Sequence, residues 1–345
     1  MADRKGHSRM RSPVTAFLLV LARAAFADQF ALPPEGSDAI GETVTTQTEA
    51  KDTLLDVARR YGLGYEEITN ANPGVDPWLP GAGTVVVVPK QRLLPRAPRS
   101  GIVINLPEHR LYWFPPTAAG QQAVVWTFPV SIGKMDWNTP LGTTRIVSKV
   151  KDAPWIPPKS VREEHAKRGE DLPAVVPGGP DNPMGRYKMA LGIPGGSYFI
   201  HGTNRPAGIG MQVTHGCMRL YPEDIEALYG MVQIGTTVTI VNQPYKWGWQ
   251  GGELLIEVHP PLQEDAVEPP SLTDLTRLIV EATATEPLPI DWIGAERTWR
   301  EARGIPTPVL VAGSRTASLI TPKPENSSRL GMVQTLRPTR ASNAS

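Results

Sequence analysis

The chain has 345 residues, of which 35 are basic and 34 acidic, so its formal net charge of +1 gives no indication of a nucleic-acid-binding surface. A hydrophobic fraction of 40% with nine tryptophans suffices for a folded core, and the length predicts about two domains plus connecting segments. The 36 prolines indicate rigid loops and linkers between these domains.

The first 27 residues have the pattern of an export signal. A basic stretch at residues 4–11 precedes the apolar run 15–21, which is too short to span a bilayer. The Ala-Phe-Ala sequence at 25–27 fits the small-x-small pattern of a cleavage site. We therefore expect residues 1–27 to be a signal peptide that is removed on export. An uncleaved membrane anchor is the alternative, since Arg23 interrupts the apolar region.

Residues 41–90 predict a small unit with the order strand, helix, helix, strand. A β-prone run at 42–46 is followed by Asp52, which is placed to cap a helix. A second short helix is predicted over 65–71, and a strand over 84–89 closes the unit. The apolar positions of the first helix follow the i, i+3, i+4, i+7 spacing of one buried face: Leu54, Val57, Ala58 and Tyr61.

This unit resembles a LysM module, a small domain that binds glycan strands containing N-acetylglucosamine. The resemblance lies in "DTLLDVARRYG" and "ITNANPGVDPWLPGAGTVVVVP" and in their spacing. The opening "TEAKDT" departs from the Gly-Asp pair that usually precedes the threonine in that family. Glycan-strand binding is what the resemblance implies, and a generic α+β mini-domain with no ligand is the alternative.

Residues 28–40 predict a loose lead-in and residues 91–98 a linker. Beyond them, residues 99–242 predict a β-rich domain with a hairpin turn at 107–109. Its strand candidates are "GIVINLPEHRLYWFP", "AVVWTFPVSIG", "TTRIVSKV", "SYFIHGT" and "TTVTIVN". The Pro- and Gly-rich residues 152–196, with a helical candidate inside them, form an insertion of the length that often serves as a lid or binding loop.

A helix is predicted to begin at Pro222, since proline favours the first helical position. Glu223 and Asp224 lie in its first turn, where carboxylates complement the helix dipole, and Ile225 and Leu228 share one face.

The signals weaken in the C-terminal part of the chain. Residues 243–313 predict an extension in which "GELLIEVHPP" is an edge-strand candidate. Helices are plausible over 272–283 and 292–303. Residues 314–345 are dominated by Ser, Thr, Pro, Asn and Arg and predict a disordered tail.

Cys217 is the single cysteine of the chain, so it cannot form a disulfide with another residue of the same chain. If the chain is exported, this thiol is therefore either buried or functional. A thiol reacts as its thiolate, which is scarce near neutral pH because an unperturbed thiol has a pKa of about 8.5. A neighbouring histidine can act as base, and two qualify: His215, two residues upstream, and His201, sixteen residues upstream. Spacing alone favours His215. Gly202 and Gly216 would let the backbone approach the reacting atoms closely.

Two other interpretations of Cys217 stay open at this point. Two histidines and one cysteine could hold zinc, but no second cysteine or nearby acidic ligand completes the tetrahedral set, so we expect no metal. A buried, inert thiol is the other alternative, although His-x-Cys in a glycine-rich turn is a poor core pattern.

The stretch "HGTNRPAGIGMQVTHGCMRL" resembles the active-site signature of the YkuD-like L,D-transpeptidases, in their Gram-negative branch that acts on murein. Met218 stands where isoleucine or valine is commoner. The resemblance covers residues 99–262 and extends to further stretches: "IVINLPEHRLYWFP", "TFPVSIGKMDWNTPLGTTRIV", "PDNPMGRYKMALG" and "VTIVNQPYKWGW".

The resemblance implies a mainly β, β-sandwich-like catalytic domain. It implies that Cys217 is the nucleophile and that His201, with its tautomer fixed by a carbonyl such as that of Gly202, is the base. It places three further residues at the catalytic centre: His215, Gly202 and Gly216. It implies four substrate-binding residues: Arg219, Thr214, Thr203 and Asn204.

The implied reaction is attack of the thiolate on the diaminopimelate carbonyl at position three of a peptidoglycan tetrapeptide stem, with release of D-Ala. The thioester is then transferred to an amine of another stem or of the C-terminal lysine of an outer-membrane lipoprotein, in the periplasm and with no cofactor. Two alternatives remain: a carboxypeptidase or lipoprotein-releasing hydrolase with the same site, and a peptidoglycan-binding protein in which the LysM-like unit does the work.

Overall fold

The computed structural model describes residues 28–134, 139–195, 197–265 and 271–314, except for the side chain of Ser160. The predicted signal peptide at 1–27 and all but the first residue of the predicted tail lie outside the described residues. Within those four ranges, no helix has both the length and the apolar character needed to cross a bilayer.

In the part of the chain that the structure describes, the protein contains eighteen strands, six α-helices and one 3-10 helix, Pro206–Gly208. The strands are β1 (Asp28–Ala31), β2 (Ala39–Ile40), β3 (Thr43–Gln47), β4 (Val85–Pro89), β5 (Arg92–Leu93), β6 (Gly101–Asn105), β7 (Arg110–Phe114), β8 (Val124–Pro129), β9 (Ile132–Gly133), β10 (Gly142–Lys151), β11 (Tyr187–Leu191), β12 (Phe199–His201), β13 (Gln212–Thr214), β14 (Met218–Arg219), β15 (Thr237–Val241), β16 (Tyr245–Gln250), β17 (Glu253–Val258) and β18 (Thr307–Pro308). The helices are α1 (Leu54–Arg60), α2 (Tyr65–Ala71), α3 (Lys159–Lys167), α4 (Pro222–Met231), α5 (Leu272–Ala282) and α6 (Trp292–Glu301).

The protein is mainly β, as the sequence resemblance predicts, and its central element is a curled sheet. The sheet has nine strands in the order β1-β8-β7-β6-β15-β10-β11-β12-β14. The pairs β6/β15 and β12/β14 are parallel, and the other pairs are antiparallel. Alternating apolar side chains of these strands and one face of α4 form the main core, which includes Ile102, Phe128, Ile200, Met218 and Leu228.

The small unit has the predicted strand-helix-helix-strand order, with β3 paired to β4 and α2 at the predicted residues 65–71. Its first helix is capped differently from the prediction. Thr53, not Asp52, is the N-cap: its hydroxyl accepts a hydrogen bond from the Asp56 backbone N–H, and the Asp56 carboxylate accepts one from the Thr53 N–H. Asp52 instead pairs with Arg60.

Two segments that the sequence presents as connectors are structured. Within residues 28–40, the β1 strand pairs with Val124–Thr127 at one edge of the central sheet. Within residues 91–98, β5 pairs with β2, and Arg92 and Leu93 are both buried. The predicted lead-in and linker are therefore wrong as descriptions of these segments. Their pairing partners lie far away in sequence, where local composition does not reveal them.

Two further predictions need correction. The insertion 152–196 contains the predicted helix, now α3, but it ends in β11, an interior strand of the central sheet paired with β10 and β12. Residues 253–258 form the middle strand of a three-stranded sheet, not an edge, because β16 and β18 flank β17. Helices α5 and α6 pack on this sheet around Trp299 and form a separate core cluster.

Glu67 of the small unit is the centre of a buried ionic network. Its carboxylate accepts hydrogen bonds from Arg110 of β7 at 2.6 Å and from Arg92 of β5 at 2.9 Å, and all three side chains are almost fully buried. Burial alone would raise the pKa of Glu67, but the two guanidinium groups outweigh it and hold that pKa low. Removing one partner of such a network leaves an uncompensated buried charge, at a cost of about 3–5 kcal/mol.

A second buried network joins the central sheet to the C-terminal unit. The Lys246 ammonium lies 2.9 Å from Glu108 Oε2 and 2.8 Å from Glu257 Oε1, and it donates to the Leu93 carbonyl at 2.7 Å. His259 contacts the same Glu257 oxygen at 2.6 Å. The three units of the protein are thus joined by buried charge pairs as well as by apolar packing.

Asp224, in the first turn of α4, predicts a specific pH dependence of stability. Burial, with the nearby charges of Glu223 and Asp28, raises its pKa to about 8. Between about pH 4 and pH 8 the folded protein therefore holds a proton that the unfolded chain releases, so this group lowers the free energy of unfolding as pH rises through that window. We expect Asp224→Asn to be more stable than the parent at pH 8, by about 1–3 kcal/mol.

Urea denaturation at pH 5 and pH 8 measures this effect, with the exposed Asp171 changed to Asn as the matched control. The control should keep the parent's pH dependence. Equal losses of stability from pH 5 to pH 8 in Asp224→Asn and the parent would contradict the assignment.

Candidate functional site

The pairing of two short parallel strands brings the candidate histidine and the candidate nucleophile together. His201 ends β12 and is in register with Arg219 of β14, while Ile200 is in register with Met218. Cys217 immediately precedes β14, so it lies level with Phe199, one position before the Ile200–Met218 pair and two before the His201–Arg219 pair. His201 and Cys217, sixteen apart in sequence, thus lie on adjacent strands and are offset by two positions along them.

Two hydrogen bonds, to the carbonyls of Gly216 and Cys217, hold the turn that contains Cys217. Gly216 has a φ of +90°, a conformation that favours glycine, and its carbonyl accepts a hydrogen bond from the Thr139 hydroxyl at 3.1 Å. The Thr214 hydroxyl donates to the Cys217 carbonyl at 2.6 Å. Thr214 is buried and its hydroxyl is engaged in this turn, where it supports the backbone of Cys217.

His201 is buried and oriented by its neighbour. Its Nδ1 lies 2.6 Å from the Gly202 carbonyl oxygen, the contact that the sequence analysis anticipates. A carbonyl can only accept, so Nδ1 carries the hydrogen and Nε2 keeps its lone pair. Burial lowers the pKa of His201 to about 3, with the positive charge of Arg219 acting in the same direction. The imidazole is therefore neutral near pH 7, and in the resting site it is a weak base.

The Cys217 side chain is held as a neutral thiol, not as a preformed thiolate. Its sulfur lies 3.7 Å from the Ser197 carbonyl oxygen, and burial raises the pKa of the thiol above its ordinary value. The Arg219 charge and a backbone group of Phe199 offset this only in part. The resting site holds a neutral thiol near a neutral imidazole, because desolvation penalises both ions.

His215 is held by a group that the sequence analysis missed. Its Nε2 lies 2.9 Å from Glu164 Oε2 on α3, and Lys134 contacts the same carboxylate at 3.2 Å. The insertion 152–196 therefore reaches the candidate site through α3. The length of the insertion predicted a lid or binding loop. No local pattern distinguished Glu164 from the other acidic residues of that helix.

The other predicted binding residues lie around the motif. The Arg219 Nε is buried and has no hydrogen-bond partner among the described residues. Thr203 is buried and accepts from the Arg205 N–H at 2.9 Å, while Asn204 donates to the Asp181 carbonyl at 2.8 Å. Thr203, Asn204 and Gly202 line a cavity of about 460 Å³ beside the start of α4, and Cys217 does not line it.

Candidate metal-ligating side chains converge elsewhere. In the described ranges, Glu108, Glu257 and His259 place their ligand atoms within 4.8 Å of one another, at the buried junction with the C-terminal unit. Because the Lys246 ammonium contacts both carboxylates, their charge already has a counter-ion.

Residues 99–240 match the family model described as the L,D-transpeptidase catalytic domain, YkuD. The chain is 42% identical to the probable L,D-transpeptidase YcfS of Escherichia coli, over 76% of this chain and 82% of that protein. It is 38% identical to the probable L,D-transpeptidase YbiS of the same organism, over 82% of this chain and 92% of that protein. The catalytic domain of an Enterococcus faecium L,D-transpeptidase aligns over 43% of this chain and 100% of that domain, at 20% identity and a TM-score of 0.30.

The resting protonation state of Cys217 can be measured directly. Because burial raises the pKa of the thiol, we expect its alkylation by iodoacetamide to be slow at pH 7 and to keep accelerating above pH 9. Intact-protein mass gives the rate without ambiguity, since the chain has one cysteine.

Free cysteine, alkylated in parallel, serves as the reference. An alkylation rate that reaches a plateau below pH 7 would show a preformed thiolate and would contradict the neutral resting state.

Proposed function

Because this chain belongs to the YkuD family of L,D-transpeptidases, we propose that it is a cysteine-dependent transferase acting on the tetrapeptide stems of peptidoglycan. The single observation that supports the residue assignment is the parallel register of β12 and β14, which puts His201 and Cys217 on adjacent strands, two positions apart along them. The orientation of His201 by the Gly202 carbonyl supports the role of general base.

The acylation step follows from the neutral resting pair. As the Cys217 sulfur attacks the carbonyl carbon of the third-position diaminopimelate, its proton moves to Nε2 of His201. Backbone N–H groups at Gly216 and Cys217 would stabilise the oxyanion that forms. When the intermediate collapses, the C–N bond breaks and the D-Ala nitrogen takes the proton from His201. The products are free D-Ala and a thioester on Cys217.

The thioester is resolved by an acceptor amine, which loses a proton to His201 while the thiol recovers one. We propose the side-chain amine of another stem or the C-terminal lysine of an outer-membrane lipoprotein as the acceptor. Water in place of the amine would make the enzyme a carboxypeptidase. Since the peptide bond energy is conserved in the thioester, the transfer needs no nucleotide or other cofactor.

Substrate carboxylates are proposed to bind at Arg219. Its buried Nε, unpartnered within the described residues, supports this, because a buried guanidinium donor without an acceptor is unfavourable until a ligand supplies one. The cavity lined by Thr203 and Asn204 is the proposed place for a part of the stem beyond the reacting bond. His215, paired with Glu164, is proposed to line the same site.

Residues 41–90 are proposed to bind glycan strands as a LysM module. Two large apolar side chains of the loop after α2 support this proposal, since Trp78 is 57% exposed and Leu79 is 81% exposed. An exposed indole offers a flat apolar face that can pack against a sugar ring. With the export pattern of residues 1–27, a site of action in the periplasm is the matching proposal.

Loss of the thiol tests the mechanism. We expect Cys217→Ala to abolish release of D-Ala from disaccharide-tetrapeptide, and His201→Ala to lower kcat by about 100-fold or more, since general base catalysis is worth about 10²–10⁴. Mass analysis of the products separates the acceptors: cross-linked dimers indicate transfer, and tripeptide alone indicates hydrolysis.

Circular dichroism of each variant controls for folding. Undiminished turnover by pure Cys217→Ala would end the thiol mechanism.

Loss of the exposed indole tests glycan binding. We expect Trp78→Ala to weaken retention on purified sacculi several-fold, because packing against an aromatic face contributes about 0.5–1.5 kcal/mol. Trp292→Ala, which removes a similarly exposed indole from α6, is the matched control and should be retained like the parent. Equal retention of all three proteins would contradict glycan binding at this loop.

A further inference from the structure

We propose that the small unit, residues 41–90, is a positioning element of the active site: the start of α2 holds the segment 206–211, which lies between His201 and Cys217. This role is additional to glycan binding, and it rests on the proposed function of His201 and Cys217. It means that the unit supports turnover even when the substrate carries no glycan.

Direct hydrogen bonds join the two parts of the chain. The backbone N–H of Tyr65 donates to the Ile209 carbonyl at 2.9 Å, and that of Glu66 donates to the Gly210 carbonyl at 3.1 Å. These are first-turn amides of α2, which have no acceptor inside their own helix. The N-cap, Gly64, has no side chain that could satisfy them. The segment of the catalytic domain therefore completes the helix of the small unit.

Two glycines allow this close contact. A Cβ added to Gly64 would lie 2.6 Å from the Gly210 Cα, and one added to Gly210 would lie 2.4 Å from the Gly64 Cα. Gly210 also has a φ of +82°, whereas Gly64 has an ordinary φ of −95°. The two backbones thus touch with no room for a side chain, and any side chain there must push the segment and the unit apart.

The held segment is continuous with the catalytic turn. On its other side, the Ser131 hydroxyl donates to the Gly208 carbonyl at 2.7 Å, and the Ile132 N–H donates to the Met211 carbonyl at 3.1 Å. The Ser131 backbone also exchanges two hydrogen bonds, of 2.9 and 3.0 Å, with Arg219. The segment is clamped between α2 and the residues that support β14, directly after Cys217.

The clamp is rigid because the small unit is anchored at several points. Glu67 accepts from the Gly64 N–H at 2.7 Å while it binds Arg110 of the central sheet. The Tyr221 hydroxyl donates to the Leu63 carbonyl at 3.1 Å, and Arg59 pairs with Glu223 at 3.0 Å. The start of α2 therefore has one fixed position relative to β7 and α4, unlike a module on a flexible tether.

Gly64→Ala in the full chain tests the proposal by adding one methyl group at the contact. With a soluble tetrapeptide that lacks sugar, we expect kcat to fall about 10-fold to 100-fold and KM to change little, since small misplacements of reacting groups have effects of this size. Retention on sacculi should stay at the parent level, because the exposed loop after α2 is unchanged.

Gly83→Ala is the control for simple destabilisation of the unit. Its φ of +76° makes alanine strained, yet no atom lies within 4 Å of the added Cβ. It should lower the melting temperature while kcat on the same peptide stays near that of the parent.

A second pair of variants tests the hydrogen bond without adding bulk to a glycine. Tyr65 occupies the first position of α2, where proline is tolerated, so Tyr65→Pro removes the donor to Ile209 and keeps the helix. Tyr65→Ala removes the ring and keeps the N–H. We expect kcat on the sugar-free peptide to fall in Tyr65→Pro and to remain near the parent value in Tyr65→Ala.

Parent-level kcat in both Gly64→Ala and Tyr65→Pro would overturn the positioning role. Equal losses in Tyr65→Pro and Tyr65→Ala would overturn it as well, since the ring and not the contact would then matter. Failure of the proposed function itself would look different, because the parent protein would then show no turnover of the peptide that depends on Cys217.

Discussion

The arrangement of the protein depends on one buried carboxylate. Glu67 lies in the small unit, but both of its cationic partners, Arg92 and Arg110, belong to the segments that follow it. A charge of this kind is costly to bury and is stable only with good partners in good geometry. Because each group compensates the others only when the unit is docked, the network favours one relative placement of the unit and the sheet. Apolar contacts alone would specify that placement less sharply, since they have no preferred direction.

Chemistry at the site is shaped by the same exclusion of water. Desolvation keeps His201 and Cys217 neutral at rest, so charge appears only as the reaction proceeds. An uncharged thiol has a practical advantage, because thiolate is the form that oxidants attack. The arrangement therefore combines a thiol of low reactivity toward the surroundings with an imidazole whose orientation is fixed by the Gly202 carbonyl.

Local sequence patterns predict much of this structure, and they fail at residues whose partners are distant in sequence. The helix over residues 65–71 follows from the chain's own sequence, in which Asn72, Pro73 and Gly74 end it. The choice of His201 over His215 rested on the family resemblance, since spacing alone favours His215. The role of residues 91–98 could not be predicted, because proline and arginine are typical of an exposed linker. Arg92 is buried only because it pairs with the Glu67 carboxylate, which is distant in sequence. Glu164 was missed for a similar reason: its contact with His215 is set by the path of a long insertion. Burial of ionisable groups depends on partners that are distant in sequence, so their pKa values were beyond any local pattern.

The ammonium of Lys246 has a consequence for the environment in which such a protein can work. It lies between two carboxylates that, with His259, would otherwise resemble a site for a divalent cation. A free ion occupies a site in proportion to its concentration, whereas a lysine is attached to the chain and is always present. At the junction between the central sheet and the C-terminal unit, a group of the chain itself therefore takes the place that a divalent cation would have between the two carboxylates. A chelating agent removes free ions that bridge carboxylates, but it cannot remove the ammonium group of Lys246.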